Sequence, residues 1–158
     1  MSTTTEPEAG YAKSPIQRTA LIVGIVFLLV GIAGFIPGVT HSAEHLHGVG
    51  ADSEAQLLGV FQVSVLHNLV HLVFGVAGLA AAARVRSSRL YLIVGGLVYL
   101  IVWIYGLIAV TNAEINFLPV NDADNWLHLA LAAGMILLGL FVARPARNAQ
   151  TAAGTPRA

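Results

Sequence analysis

Four long apolar runs constrain this chain more than any other feature: Ala20 to Ile36, Leu57 to Ala83, Leu90 to Val110 and Trp126 to Ala143. Each approaches or exceeds the roughly 18 to 20 residues that cross a hydrocarbon layer about 30 Å thick. In lipid every backbone N–H and C=O must be satisfied within the segment, so runs of this kind are helices. The chain has 158 residues, 56% of them hydrophobic and 10% charged, too little polar surface to cover a soluble domain. The expectation is an all-α, integral membrane four-helix bundle of up-down-up-down order, with spans at about 19–37, 57–83, 90–110 and 125–143 inside a transmembrane domain of residues 18–143.

The placement of charge orients the bundle. Lys13, Arg18, Arg84, Arg86, Arg89, Arg144, Arg147 and Arg157 fall in the N-terminal segment, between the second and third runs, or past the fourth. Glu44, Asp52, Glu54, Glu114, Asp122 and Asp124 fall in the other two connections. Short loops rich in Lys and Arg stay cytoplasmic, so both termini are expected on the cytoplasmic side of a cell membrane and both acidic loops outside. The formal net charge of zero gives no sign of a nucleic-acid partner. The first apolar stretch is longer than a signal-peptide core and "VTHSAEH" lacks a small-x-small cleavage site, so it is expected to stay uncleaved. Residues 1–17 and 144–158, small, polar and proline-bearing, are expected to be disordered cytoplasmic tails.

Local signals set expected helix ends. The first helix should stop near Ile36, before Pro37 and Gly38. The second should start at Ser53, where Ser53-x-x-Gln56 reads as a capping box, and run about 45 Å to Arg84.

The chain also resembles itself. "GIVFLLVGIAGF" (24–35) aligns with "GLVYLIVWIYGL" (96–107) at an offset of 72, and "NLVHL" (68–72) aligns with "NWLHL" (125–129) at an offset of 57. Because the first and third helices enter from the same side, this predicts two related hairpins forming a parallel repeat about an axis along the membrane normal. The stretches "VGIAGFIPG", "LHNLVHLVFGVAGL" and "NWLHLALAAGMILLGL", in that order over residues 18 to 143, resemble the actinobacterial membrane family catalogued as domain of unknown function 4383. The resemblance implies a four-helix membrane protein and carries over no activity.

The residues that need explaining are polar ones inside apolar helices: His67, Asn68, His71, Asn125 and His128. Counted from Arg84 and Arg144, His71 and His128 stand about 20 and 24 Å along their helices, which places all five in one layer of the outer leaflet. Facing lipid would strand them at several kcal/mol each, so they are expected to converge between the second and fourth helices. Three roles are open. The layer is a structural latch, hydrogen-bonding across helices, or a shallow external binding site; a scaffold for another membrane protein or a second copy of the chain fits this reading. Alternatively His71 and His128 ligate haem b, or the histidines hold zinc or copper, in a membrane carrier, although no carboxylate is expected at their depth. In a third reading they titrate near neutral pH in a pH-sensing or small-solute transport protein, although the inner helix halves offer no polar path.

The first outer loop adds His41, Glu44, His45 and His47, a candidate zinc or copper cluster too local to define a geometry. There are no cysteines, so thiolate sites and disulfides are excluded. No phosphate-binding loop, nucleophile elbow or paired catalytic carboxylates occur, so the chain is expected to be non-enzymatic, with the lipid bilayer as its partner and no cofactor. Gly78 with Ala82 and Ala130 with Gly134 are spaced for close helix packing.

Overall fold

The computed structural model describes residues 10–50 and 52–142. Four helices carry it: α1 (Pro15–Ala33), α2 (Val65–Ala81), α3 (Val85–Ala109) and α4 (Asp122–Phe141). Of these, α1, α3 and α4 are long and apolar enough to cross a membrane. The 17 residues of α2 extend about 26 Å, slightly less than the hydrocarbon thickness. Exposed side chains around the bundle are apolar, among them Ile22, Leu29, Val73, Val76, Ile101 and Phe141, while Gln17, Asn68, His71, Asn125 and His128 are buried. Apolar outside and polar inside is the arrangement lipid demands and water opposes.

Each helix start has a local cause. Ser14 accepts a hydrogen bond from the Gln17 N–H (3.4 Å) and the Gln17 side chain accepts one from the Ser14 N–H (3.0 Å), with Pro15 at the first helical position. Asn121 and Asp124 cap α4 in the same reciprocal way, at 3.0 and 2.9 Å. Ser64 caps α2 by accepting from the His67 N–H at 3.1 Å. A cap oxygen that accepts from first-turn N–H groups satisfies donors that have no partner within the helix.

The second helix corrects the reading of the sequence. It begins at Val65: the Ser53 hydroxyl donates to the Val63 carbonyl at 2.6 Å and accepts from the His47 N–H at 3.3 Å, so it caps no first turn. Gln56 lies in a strand, not a first turn. Leu58 and Gly59 adopt left-handed backbone (φ 55° and 70°) and turn the chain back on itself. The apolar residues expected to extend the helix instead form a three-stranded antiparallel sheet of β1 (Thr40–His41), β2 (Gln56–Leu57) and β3 (Phe61–Gln62), in that order. Leu57 pairs with both Thr40 and Phe61. Beneath the sheet, Ala55, Leu57 and Val63 form a small core of their own.

Two further expectations need correction. The first helix ends at Ala33, where Gly34 caps it and the chain tightens into turns before Pro37. The tail expected to be disordered through residue 17 is packed from residue 10: the Ala12 N–H and the Gln17 side chain both donate to the Ala82 carbonyl, at 3.1 and 2.9 Å. The remainder of both expected tails, residues 1–9 and 143–158, lies outside the described residues.

α1 packs along α2, and α3 along α4, as two antiparallel hairpins. Among the described residues, all cations sit at the end where α1 and α3 begin and α2 and α4 finish. Contacts within the hairpins follow the alignment. A Cβ at Gly24 would fall 2.9 Å from the Gly75 carbonyl oxygen and against Leu79, and one at Gly96 would fall 2.9 Å from the Ala132 carbonyl oxygen and against Ile136. These partners are themselves paired at the offset of 57. Across the two hairpins Phe27 stacks on Tyr99, its aligned counterpart, with ring centroids 5.5 Å apart. This pair joins Ile16, Leu92, Ala132 and Met135 in the main core.

Candidate functional site

The half of the bundle away from the described cations holds three histidines in ring contact. His67 and His71, one turn apart on α2, have centroids 4.7 Å apart, and His67 reaches His128 on α4 at 6.0 Å. Phe27 packs on His71 at 5.7 Å and Tyr99 packs on His128 at 5.4 Å, aligned residues making aligned contacts. All three imidazoles are more than nine-tenths buried. The backbone of Gln62 and Pro119, the strand and loop that precede α2 and α4, lies beside the His67 ring.

Asn68 and Asn125 do not join this cluster. Each turns into its own hairpin, where a glycine leaves room for the carboxamide: a Cβ at Gly34 would strike the Asn68 side chain, and one at Gly106 would strike that of Asn125. Gly34 and Gly106 are aligned, as are Asn68 and Asn125, so each hairpin carries one Gly–Asn pair at the outer end. The expected convergence of five residues between α2 and α4 is therefore replaced by three histidines near the centre and one asparagine in each hairpin. The reason is direction: Asn68 and Asn125 follow His67 and Asp124 by one residue, about 100° around the helix, and point at the neighbour within the hairpin.

Several of these groups make no hydrogen bond. Among the described residues, His71 Nδ1, His128 Nδ1, both amide atoms of Asn68 and the Asn125 Oδ1 are buried without a hydrogen-bond partner, while the His67 ring has the backbone of Gln62 and Pro119 beside it. A buried polar atom left unpaired costs about 1 to 3 kcal/mol.

The histidines border a cavity of about 320 Å³ that runs down the face between α1 and α4. Val26, Phe27 and Val30 line one side, Leu127, Leu131 and Leu138 the other, and Leu57, Leu58 and Phe61 of the small sheet and its turn line it as well. Asp124 also lines it, which corrects the expectation that no carboxylate shares the histidines' depth. Its Oδ2 accepts from the N–H groups of Asn121 and Gln62, at 2.9 and 3.0 Å, tying the sheet to the start of α4. The signal was present in the sequence, since Asp124 and His128 are four apart and share a helix face. Gly134, expected to pack tightly, instead faces this space: a Cβ there would meet nothing within 4 Å. Gly78 does pack as expected, with the Gly24 Cα 2.7 Å from where its Cβ would lie.

The opposite face, between α2 and α3, has the aligned lining and almost no space. Val98, Tyr99, Val102, Val70 and Phe74 border a gap of about 40 Å³ that also touches the three histidines. Phe74 stands where α4 has Leu131, and its ring packs against Phe27, Tyr99 and Tyr91.

The outer-loop histidines do not assemble. Glu44 and His45 approach to 4.0 Å, while His41 lies against Gly59. Among the described residues, no group of three or more His, Asp or Glu side chains is placed to hold a metal ion, in the loop or in the bundle.

Comparison with known proteins adds one relationship. A family model described as a domain of unknown function (DUF4383) matches residues 17–141, most of the chain, and the chain belongs to that family. No curated protein and no solved structure matches it.

Proposed function

We propose that this member of the family is a non-catalytic integral membrane protein, built from two copies of one hairpin, whose histidine cluster is a small-molecule site and not a latch. The observation that carries this reading is that His71 and His128, whose Nδ1 atoms have no hydrogen-bond partner, also line a cavity. A latch gains stability by pairing its polar groups across helices; these are unpaired and, as far as folding is concerned, a cost. Buried polar groups that destabilise a fold and converge on an apolar cavity are the usual composition of a ligand site. The cationic end, with both termini, is cytoplasmic by the distribution of Lys and Arg, so the site lies in the outer leaflet of a cell membrane.

The rival readings lack support in the geometry. A haem held by His71 and His128 needs a flat slot between the two imidazoles, and the His67 ring packs against both. A solute path needs polar groups beyond the histidines, and the inner part of the cavity is lined by Ile22, Val23 and Leu138.

Thermal unfolding of His71→Leu and His128→Leu in detergent separates site from latch by sign. As a site, each substitution removes an unpaired buried nitrogen and leaves the midpoint unchanged or raised. As a latch, each lowers stability by about 1 kcal/mol. A clear drop in both variants contradicts the proposal.

A further inference from the structure

Resting on that reading, we infer that the ligand is an uncharged, lipid-soluble molecule with a single hydrogen-bonding head and an apolar chain, and that it enters sideways from the bilayer between α1 and α4.

The direction of entry follows from what lines the cavity. At the sheet Leu57, Leu58 and Phe61 line it, so no polar side chain of the sheet marks an aqueous entrance there. Its long side is open: Ile22, Val26, Leu127 and Leu138 line it and remain between 38% and 60% exposed. In a membrane that side faces acyl chains. Only molecules already dissolved in the bilayer reach it without crossing a barrier.

The head follows from the chemistry at the end of the groove. Neutral imidazoles offer both an N–H donor and a lone-pair acceptor, which suits a hydroxyl, a carbonyl or a quinone oxygen. Among the described residues no Lys or Arg lines the cavity, so an anionic head would be desolvated without a counter-charge. Asp124, the one acid lining it, already spends Oδ2 on two backbone N–H bonds as a helix cap, and a cationic head would compete with the start of α4 for it. An uncharged head can bond the histidines that line the groove without either penalty.

The chain follows from volume and lining. About 320 Å³ is roughly twice the 150 Å³ engineered cavity that admits benzene. The walls from Val30 to Ile22 and from Ala130 to Leu138 are apolar throughout. Gly134 opens the middle of the groove, where a side chain would otherwise stand.

The test is photolabelling of the full-length protein in lipid nanodiscs with decanol carrying a terminal diazirine, followed by peptide mapping. Saturable adducts are expected on α1 and α4, displaced by unlabelled decanol at least tenfold more effectively than by decanoate, decyltrimethylammonium or decane. Gly134→Leu should cut the labelling at least tenfold, and Leu131→Phe, a second way to fill the groove, should do the same. Val73→Leu, on the lipid side of α2, should leave it unchanged. Equal displacement by decanoate or decyltrimethylammonium overturns the uncharged head, and equal displacement by decane overturns any role for the head. Adducts spread evenly over the lipid-facing residues of all four helices overturn the groove. Each of these failures is distinct from failure of the site reading itself, which the direction of the His71→Leu and His128→Leu midpoints decides.

Discussion

The two faces where the hairpins meet, α1 against α4 and α2 against α3, are lined by aligned residues and come out differently. Val26, Phe27, Val30 and His128 on one face match Val98, Tyr99, Val102 and His71 on the other. Yet one encloses about 320 Å³ and the other about 40 Å³. The contrast traces to a few positions. Phe74 and Tyr91 fill the α2/α3 face, the Tyr91 hydroxyl bonding the Phe74 carbonyl at 3.2 Å, where the aligned residues are Leu131 and Thr19. Gly134 stands in place of Ala77. Shared histidines with unequal surroundings show that side-chain bulk, not the polar layer, decides which face has room for a ligand.

The hairpin interiors, by contrast, are alike, and the largest predicted effect tests that likeness. Gly34→Val and Gly106→Val each drive a branched side chain into a buried carboxamide and should cost about 3 kcal/mol or more, read as loss of a cooperative thermal transition. Gly34→Ala should be partly rescued by Asn68→Ala in a double-mutant cycle, and Gly106→Ala by Asn125→Ala. Tolerance at one glycine but not the other would break the equivalence of the hairpins. Phe74→Leu comes next. It should cost about 2 kcal/mol through the void it leaves in the aromatic cluster, and it should add a second saturable decanol site on α2 and α3. Leu131→Phe is the reverse change. It should lower stability by less than about 1.5 kcal/mol while removing the α1/α4 labelling, because the ring enters space that is already empty. The smallest effect belongs to Tyr91→Phe, which loses one hydrogen bond on the filled face, about 1 kcal/mol, and should leave labelling of the open face untouched.

Much of this architecture was legible in the residues, and the exceptions have physical causes. Apolar length specified four helices, and the paired Asn-x-x-His-Leu phrases located the polar layer. The same regularity hid the Leu58–Gly59 reversal, because "AQLLGVFQVSVL" is as apolar as a helix and only the left-handed turn tells against it. The capping boxes at Ser14 and Asn121, S-P-x-Q and N-x-x-D in the sequence, place two helix starts five and four residues earlier than the apolar runs at Ala20 and Trp126 suggest. The Gly34–Asn68 and Gly106–Asn125 pairs were not legible, since each joins residues on different helices whose rotation is set only by packing. Nor was the cavity. Gly134 is spaced like a packing glycine, and only the helix it fails to meet, α1, shows that it borders space.

The most direct test of the account exchanges the two faces. In the double variant Phe74→Leu/Leu131→Phe, bulk moves from α2 to α4 while the histidines stay in place. Diazirine-decanol adducts should then move from peptides containing Val26 and Leu127 to those containing Val98 and Val70, with the same preference for decanol over decanoate. Adducts that remain on α1 and α4 in a folded double variant would contradict the claim that bulk at these aligned positions selects the open face.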